Sequence, residues 1–201
     1  MKKIMFNDRY GLTQAVIEGR KTMTRRIVSD KLWDRWTDYD DFCNSVSCGP
    51  TTPVSRQYHN EFEFFKDNLP YKVGEIVAVA QSYEQINPQI IHYRINDMDE
   101  WCGDHPGQYN KMFVQADLMP HQIRITSVRS ERLQDITDED CMKEGIQVLD
   151  GRYYYRDSEG RIVDDFDNPR AAFASLINKI SGRGTWERNP FVWVYEFKLV
   201  K

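Results

Sequence analysis

Cysteine is scarce in this chain, with four in 201 residues. So few thiols in a chain this long make no disulfide framework and fit a reducing, cytoplasmic compartment. Long apolar runs are absent too. No stretch approaches the roughly 20 residues that a membrane span needs. The opening Met1-Lys2-Lys3-Ile4-Met5-Phe6-Asn7-Asp8 is basic, but no apolar segment follows it, which argues against a secretory signal. There is no GxxxxGK[ST], GxGxxG, HExxH or GxSxG, so neither a phosphate loop nor a common hydrolase motif is signalled. The nearest metal pattern is Cys43 and Cys48, with His59, Cys102 and His105 as distant partners. Zinc sites use tighter cysteine pairs, so the expectation is no metal and no cofactor. No internal repeat or low-complexity tract is visible.

What is present points to a folded domain. Aromatic residues make up 13% of the chain and hydrophobic residues 40%, enough burial to offset chain entropy. The net charge is −4, but it is unevenly placed. Residues 1–26 carry seven cations against Asp8 and Glu18, a net of +5. Residues 168–201 carry six cations against Glu187 and Glu196, a net of +4, which leaves −13 for the middle. If the two ends meet, they form a basic face that attracts phosphate backbones; a surface whose charges balance locally is the plainer alternative.

The pattern reads as many short strands with helices at the connections. Strands are expected at Ile4–Phe6, Thr22–Val28, Ile76–Ala80, Ile90–Ile95, Met112–Ala116, Gln122–Glu131 and Phe191–Leu199. Helices are expected over Tyr10–Glu18, stopped by Gly19, and over Asp30–Asp41. A short helix capped by Thr137 runs to Glu144 and Gly145, and another capped by Asn168 covers Pro169–Ile180. Gly151–Asp167 reads as a hairpin around Ser158-Glu159-Gly160, and Cys43–Ser55 as a loop. Alternation puts Phe191, Trp193, Tyr195 and Phe197 on one strand face, as a core wall or, less simply, a base-stacking surface. The whole suggests an α+β fold: a small β-barrel or half-open sheet with helical decorations, in one domain. Residues 30–70 read as an insertion too short for a core of its own.

The segment Gly19-Arg20-Lys21-Thr22-Met23-Thr24-Arg25-Arg26 stands out. It crosses from a helix end into a strand and offers four cations and two hydroxyls within seven residues. A helix dipole is satisfied by one or two charges, so the set suits capture of an anion or a polar ligand. Together with Tyr71-Lys72-Val73-Gly74-Glu75, Glu131-Arg132-Leu133-Gln134-Asp135-Ile136-Thr137, Glu144-Gly145-Ile146 and Tyr195-Glu196-Phe197, it resembles the ASCH domain of the PUA-like superfamily, in its phage and prophage-borne branch. The chain departs from that branch at Ala80 and Gln81, where relatives carry Arg and Glu.

The resemblance implies a small PUA-like barrel over residues 1–201, with insertions near 30–70, 83–115 and 147–185. It implies recognition of RNA or a modified nucleoside in a cleft, in the cytoplasm (the host's, if phage-encoded). Ligand contacts are then expected from Arg20, Thr22, Arg25 and Arg26. A family member that hydrolyses N(4)-acetylcytidine uses residues matching Lys21, Thr24 and Glu144. Amide hydrolysis needs a nucleophile, a proton shuttle and a positive group, and these three supply them. In an ideal strand Lys21 and Thr24 would face opposite sides, so they converge only if Lys21 lies on the helix exit or a bulge intervenes. Two other readings stay open: a ribonuclease in which Lys21, Arg25 and Arg26 stabilise a phosphorane, and a non-enzymatic phage accessory protein that binds a host protein.

Overall fold

The computed structural model describes residues 1–47, 56–86, 107 and 109–200. The expected strand at Ile90–Ile95, most of the loop after Cys43, and Cys48, Cys102 and His105 lie outside those residues. Five strands form one sheet: β1 (Lys3–Ile4), β2 (Met23–Ile27), β3 (Ile76–Val79), β4 (Gln122–Arg132) and β8 (Phe191–Leu199). Their order across the sheet is β1-β3-β4-β8-β2, and every pairing is antiparallel except that of β1 with β3. A second sheet is the meander β5 (Gln147–Leu149), β6 (Arg152–Arg156) and β7 (Ile162–Phe166).

The expected aromatic strand sits where a core strand must. β8 lies between β4 and β2, and Phe191, Val192, Trp193, Val194, Tyr195 and Phe197 are all buried. Both faces of β8 are therefore covered, and the alternating aromatics serve as core, not as a surface for bases. β4 passes over one residue between Ile125 and Ser127 in its register with β8, a bulge that bends the long strand.

Helices attach where their caps dictate. α1 (Leu12–Ile17) follows a 3-10 turn, Asp8–Tyr10, that ends on Gly11. α2 (Asp30–Ser47) runs past the expected stop at Asp41, and α3 (Glu61–Asp67), capped by Asn60, was not foreseen. α4 (Tyr83–Ile86) is a single turn. α5 (Asp138–Lys143) is capped by Thr137, whose hydroxyl accepts from Asp140 N at 3.2 Å. α6 (Pro169–Ser181) is capped by Asn168, and α7 (Thr185–Arg188) follows it. α6 packs on β6 and β7, where Tyr155 Oη meets Ser175 Oγ at 3.0 Å and donates to Asp164 at 3.2 Å.

Two expectations are corrected. Met112–Ala116 is no strand, because its backbone is satisfied elsewhere. Met112 N and Phe113 N bond back to Asn110, and the Lys3 ammonium takes the carbonyls of Lys111, Met112 and Val114. The sheet is not a closed barrel either. Among the described residues no ladder joins its two end strands, β1 and β2. The ends nevertheless face each other: the Arg26 guanidinium of β2 donates to the Met5 carbonyl and lies 5.5 Å from the centroid of the Phe6 ring. No helix of the described residues is long and apolar enough to cross a membrane.

Candidate functional site

The segment 19–26 is placed by its two flanking turns. Gly19 adopts φ +74°, which costs glycine nothing, and its N–H closes on Val16 O. Lys21 N then bonds Ala15 O at 2.9 Å, so Lys21 belongs to the helix exit and precedes β2. That removes the alternation problem with Thr24. The next N–H, of Thr22, bonds Lys143 O at 2.9 Å and stitches the segment to the end of α5. Glu144 is the last residue of that turn, and Gly145 at φ +106° releases the chain from it.

This docking brings the three expected catalytic residues together. Lys21 Nζ reaches Glu144 Oε2 at 2.5 Å and the Glu144 carbonyl at 2.7 Å. Lys21, Thr24 and Glu144 are all buried, at 2%, 5% and 4% exposure. Burial pushes the Lys21 ammonium below its usual pKa, while the Glu144 charge pulls the other way. All three line a cavity of about 200 Å³. Asn7, Arg25 and Arg26 share its polar side, and Phe173, Leu176, Ile177 and Ile180 of α6 form an apolar wall. One side is supplied by the residues just after β1 and another by β2, so the cavity fills the gap between the two ends of the sheet.

The four cations of the segment meet different fates. Arg20 is exposed and held by Glu18, with Nε at 2.7 Å from Oε2, and it lies outside the cavity lining. Thr22 is half-buried and also outside the lining. Arg25 is bonded to Glu131, Asp140 and Glu144 at 2.6, 2.9 and 3.2 Å. Burial alone would lower its pKa, but the three carboxylates outweigh that and hold it raised. Arg26 has no carboxylate within 4 Å among the described residues. Its Nε is shielded from solvent without a hydrogen-bond partner, and burial lowers its pKa. Asn7 Oδ1 on the same lining is likewise shielded and unpartnered.

No family model matches the chain, and no curated protein matches it. Among solved structures it is similar to the crystal structure of an ASCH domain from Lactobacillus crispatus JV V101. The identity is 11%, the match covers 96% of this chain and 75% of that one, and the TM-score is 0.36. A likeness that slight carries no argument about fold or function.

Several residues of the site escaped the sequence. Glu131 stands in a motif block but gave no sign that it would meet Arg25. Asp140 reads as a first-turn acid favoured by the helix dipole, yet its carboxylate is spent on Arg25 and Arg129. The spacing of Phe173, Leu176, Ile177 and Ile180 marks one helix face, and only the tertiary fold puts it on a cavity. Ala80 and Gln81 are buried after β3, away from the lining. Cys43 is buried in α2, and burial pushes the Cys141 thiol up to about 12, which makes it inert at neutral pH.

Proposed function

We propose that this chain is an ASCH-type protein of the PUA-like class, and that its cavity binds a modified nucleoside whose N-acyl bond Lys21, Thr24 and Glu144 hydrolyse. The observation that carries the reading is that those three buried residues line one cavity, with Lys21 and Glu144 in contact across 123 residues of sequence. The cavity's size supports it. At about 200 Å³ it falls below the roughly 300–1,000 Å³ of pockets for larger ligands, and so suits a single base with its substituent.

The chemistry follows from the positions. Thr24, or a water it holds, adds its oxygen to the acyl carbon. Lys21 takes the proton lost in that step when it is in its neutral form, the form that burial favours and the Glu144 charge opposes. Lys21, now charged, stands beside the developing oxyanion. Glu144, at 2.5 Å from Lys21, relays that proton from Lys21 to the leaving nitrogen. The C–N bond breaks and the free amine leaves; a directly attacking water gives the carboxylic acid at once, whereas attack by Thr24 leaves an acyl ester on its oxygen that a water then cleaves to the acid, so one water is consumed either way.

The phosphate-driven readings draw less support. Arg20 and Arg25 are already neutralised by carboxylates, and Lys21 by Glu144. Of the four cations in the segment 19–26, three are thus paired with carboxylates, and Arg26 is the exception among the described residues. The test is release of acetate from N(4)-acetylcytidine by the purified protein. Lys21→Ala, Thr24→Ala and Glu144→Ala should each abolish it, because such residues act as a unit. Lys21→Arg should fail as well, since arginine stays protonated. Wild-type protein that neither binds the nucleoside in calorimetry nor releases acetate would overturn the reading.

A further inference from the structure

We infer that Arg25 is a positioning residue that holds the Glu144 carboxylate against Lys21, and not a ligand contact. A guanidinium carries five N–H groups and no acceptor. Arg25 Nε gives one to Glu131 Oε1 at 3.1 Å. Nη1 gives one to Glu144 Oε1 at 3.2 Å and one to Met23 Sδ at 3.2 Å. Nη2 gives one to Glu131 Oε1 at 2.6 Å and one to Asp140 Oδ2 at 2.9 Å. All five are spent inside the protein, and the side chain is 1% exposed. Nothing remains for a phosphate or a base.

The same bonds fix Glu144 from both sides. Arg25 holds Oε1 and Lys21 holds Oε2. Arg25 is itself held from behind. Glu131 and Asp140 also bind Arg129, whose Nη1 continues to Glu196 on β8 at 3.1 Å. Rigid sheet therefore backs the strut: Arg25 on β2, Arg129 and Glu131 on β4, Glu196 on β8. A planar fork spanning three carboxylates is a task lysine cannot perform.

The catalytic half of this inference rests on the hydrolytic reading above, so the test has a readout that does not. In the full chain, the Lys21 ammonium is titrated by NMR of its labelled side chain in wild type, Arg25→Gln, Arg25→Lys and Glu131→Gln. If Arg25 holds Glu144 in place, its loss lets the carboxylate withdraw, and Lys21 titrates lower. If Arg25 is merely a nearby positive charge, its loss makes Lys21 titrate higher. A lower value in Arg25→Gln, and a smaller fall in Glu131→Gln, is expected; Arg25→Lys should not restore the wild-type value. An unchanged or higher value overturns the inference. Should Arg25→Gln fail to fold, the folded Glu131→Gln decides by the same sign. Where wild type hydrolyses N(4)-acetylcytidine, folded Arg25→Gln should lose about 100-fold in kcat with KM little changed, and a loss confined to KM would overturn it. Absence of wild-type turnover would defeat the hydrolytic reading alone, and the titration would still judge Arg25.

Discussion

Two ionic clusters in this protein use the same residue types to opposite ends. Around Arg25, four cations and four carboxylates interlock: Lys21, Arg25, Arg129 and Lys143 with Glu131, Asp140, Glu144 and Glu196. On the β6–β7 hairpin, Arg152 pairs with Asp165 and Asp167, and Arg161 with Asp157 and Glu159. The Arg25 side chain is 1% exposed and that of Arg152 is 46%. In the first cluster Lys21, Arg25, Asp140 and Glu144 have lost their water and depend on one another, while Arg129, Lys143 and Glu196 at its outer edge keep part of theirs. In the second each charge keeps its hydration, and the partner adds little. Geometry alone does not separate the two, since the surface pairs are as short as the buried ones. Solvent access does.

The sharpest way to break that contrast is to remove one member from each. Arg25→Met should cost about 3–5 kcal/mol, because it leaves buried carboxylates without their partner, read as a lower urea midpoint. A loss below about 1 kcal/mol would put the buried cluster on the same footing as the surface one. Acid sharpens the contrast next. Burial works against the Asp140 carboxylate, but Arg25 and Arg129 outweigh it and hold its pKa low. Its share of stability is therefore fully present above the unfolded value near 3.8 and is lost as pH falls through the lowered folded value. Asp140→Asn should flatten the stability curve in that window, read as urea midpoints that change less with pH than those of wild type. Thr137→Ala, which uncaps the helix leading into Glu144, should cost about 1 kcal/mol, seen as a modest drop in melting midpoint. Arg152→Ala should cost about 0.5 kcal/mol or less, and the difference should shrink further as salt is raised.

The contrast also explains what was legible in the sequence. Strand β8, the cap at Thr137, the stop at Gly145 and the helix after Asn168 follow from local rules, because burial, capping and backbone freedom act over a few residues. The grouping of Lys21, Thr24 and Glu144 was legible through motif blocks, not through spacing. The partners of Arg25 were not. Glu131, Asp140 and Glu144 lie 106, 115 and 119 residues away, and any acid in the acidic middle would have served as well on paper. Lys3, read only as part of a basic opening, instead ties down the turn at Lys111–Val114 and so abolishes a predicted strand. Tertiary choice among equivalent charges is what local pattern cannot give.

The unclosed sheet has a kinetic consequence. A barrel zipped by a full ladder would admit a guest only by breaking several backbone hydrogen bonds at once, a sub-global unfolding event. Here, among the described residues, the seam between the residues after β1 and strand β2 is fastened by the Arg26 side chain, which donates to the Met5 carbonyl and lies over the Phe6 ring. The doorway to the Lys21–Glu144 pair can thus breathe on side-chain motion alone, while β8 and its flanking ladders stay shut.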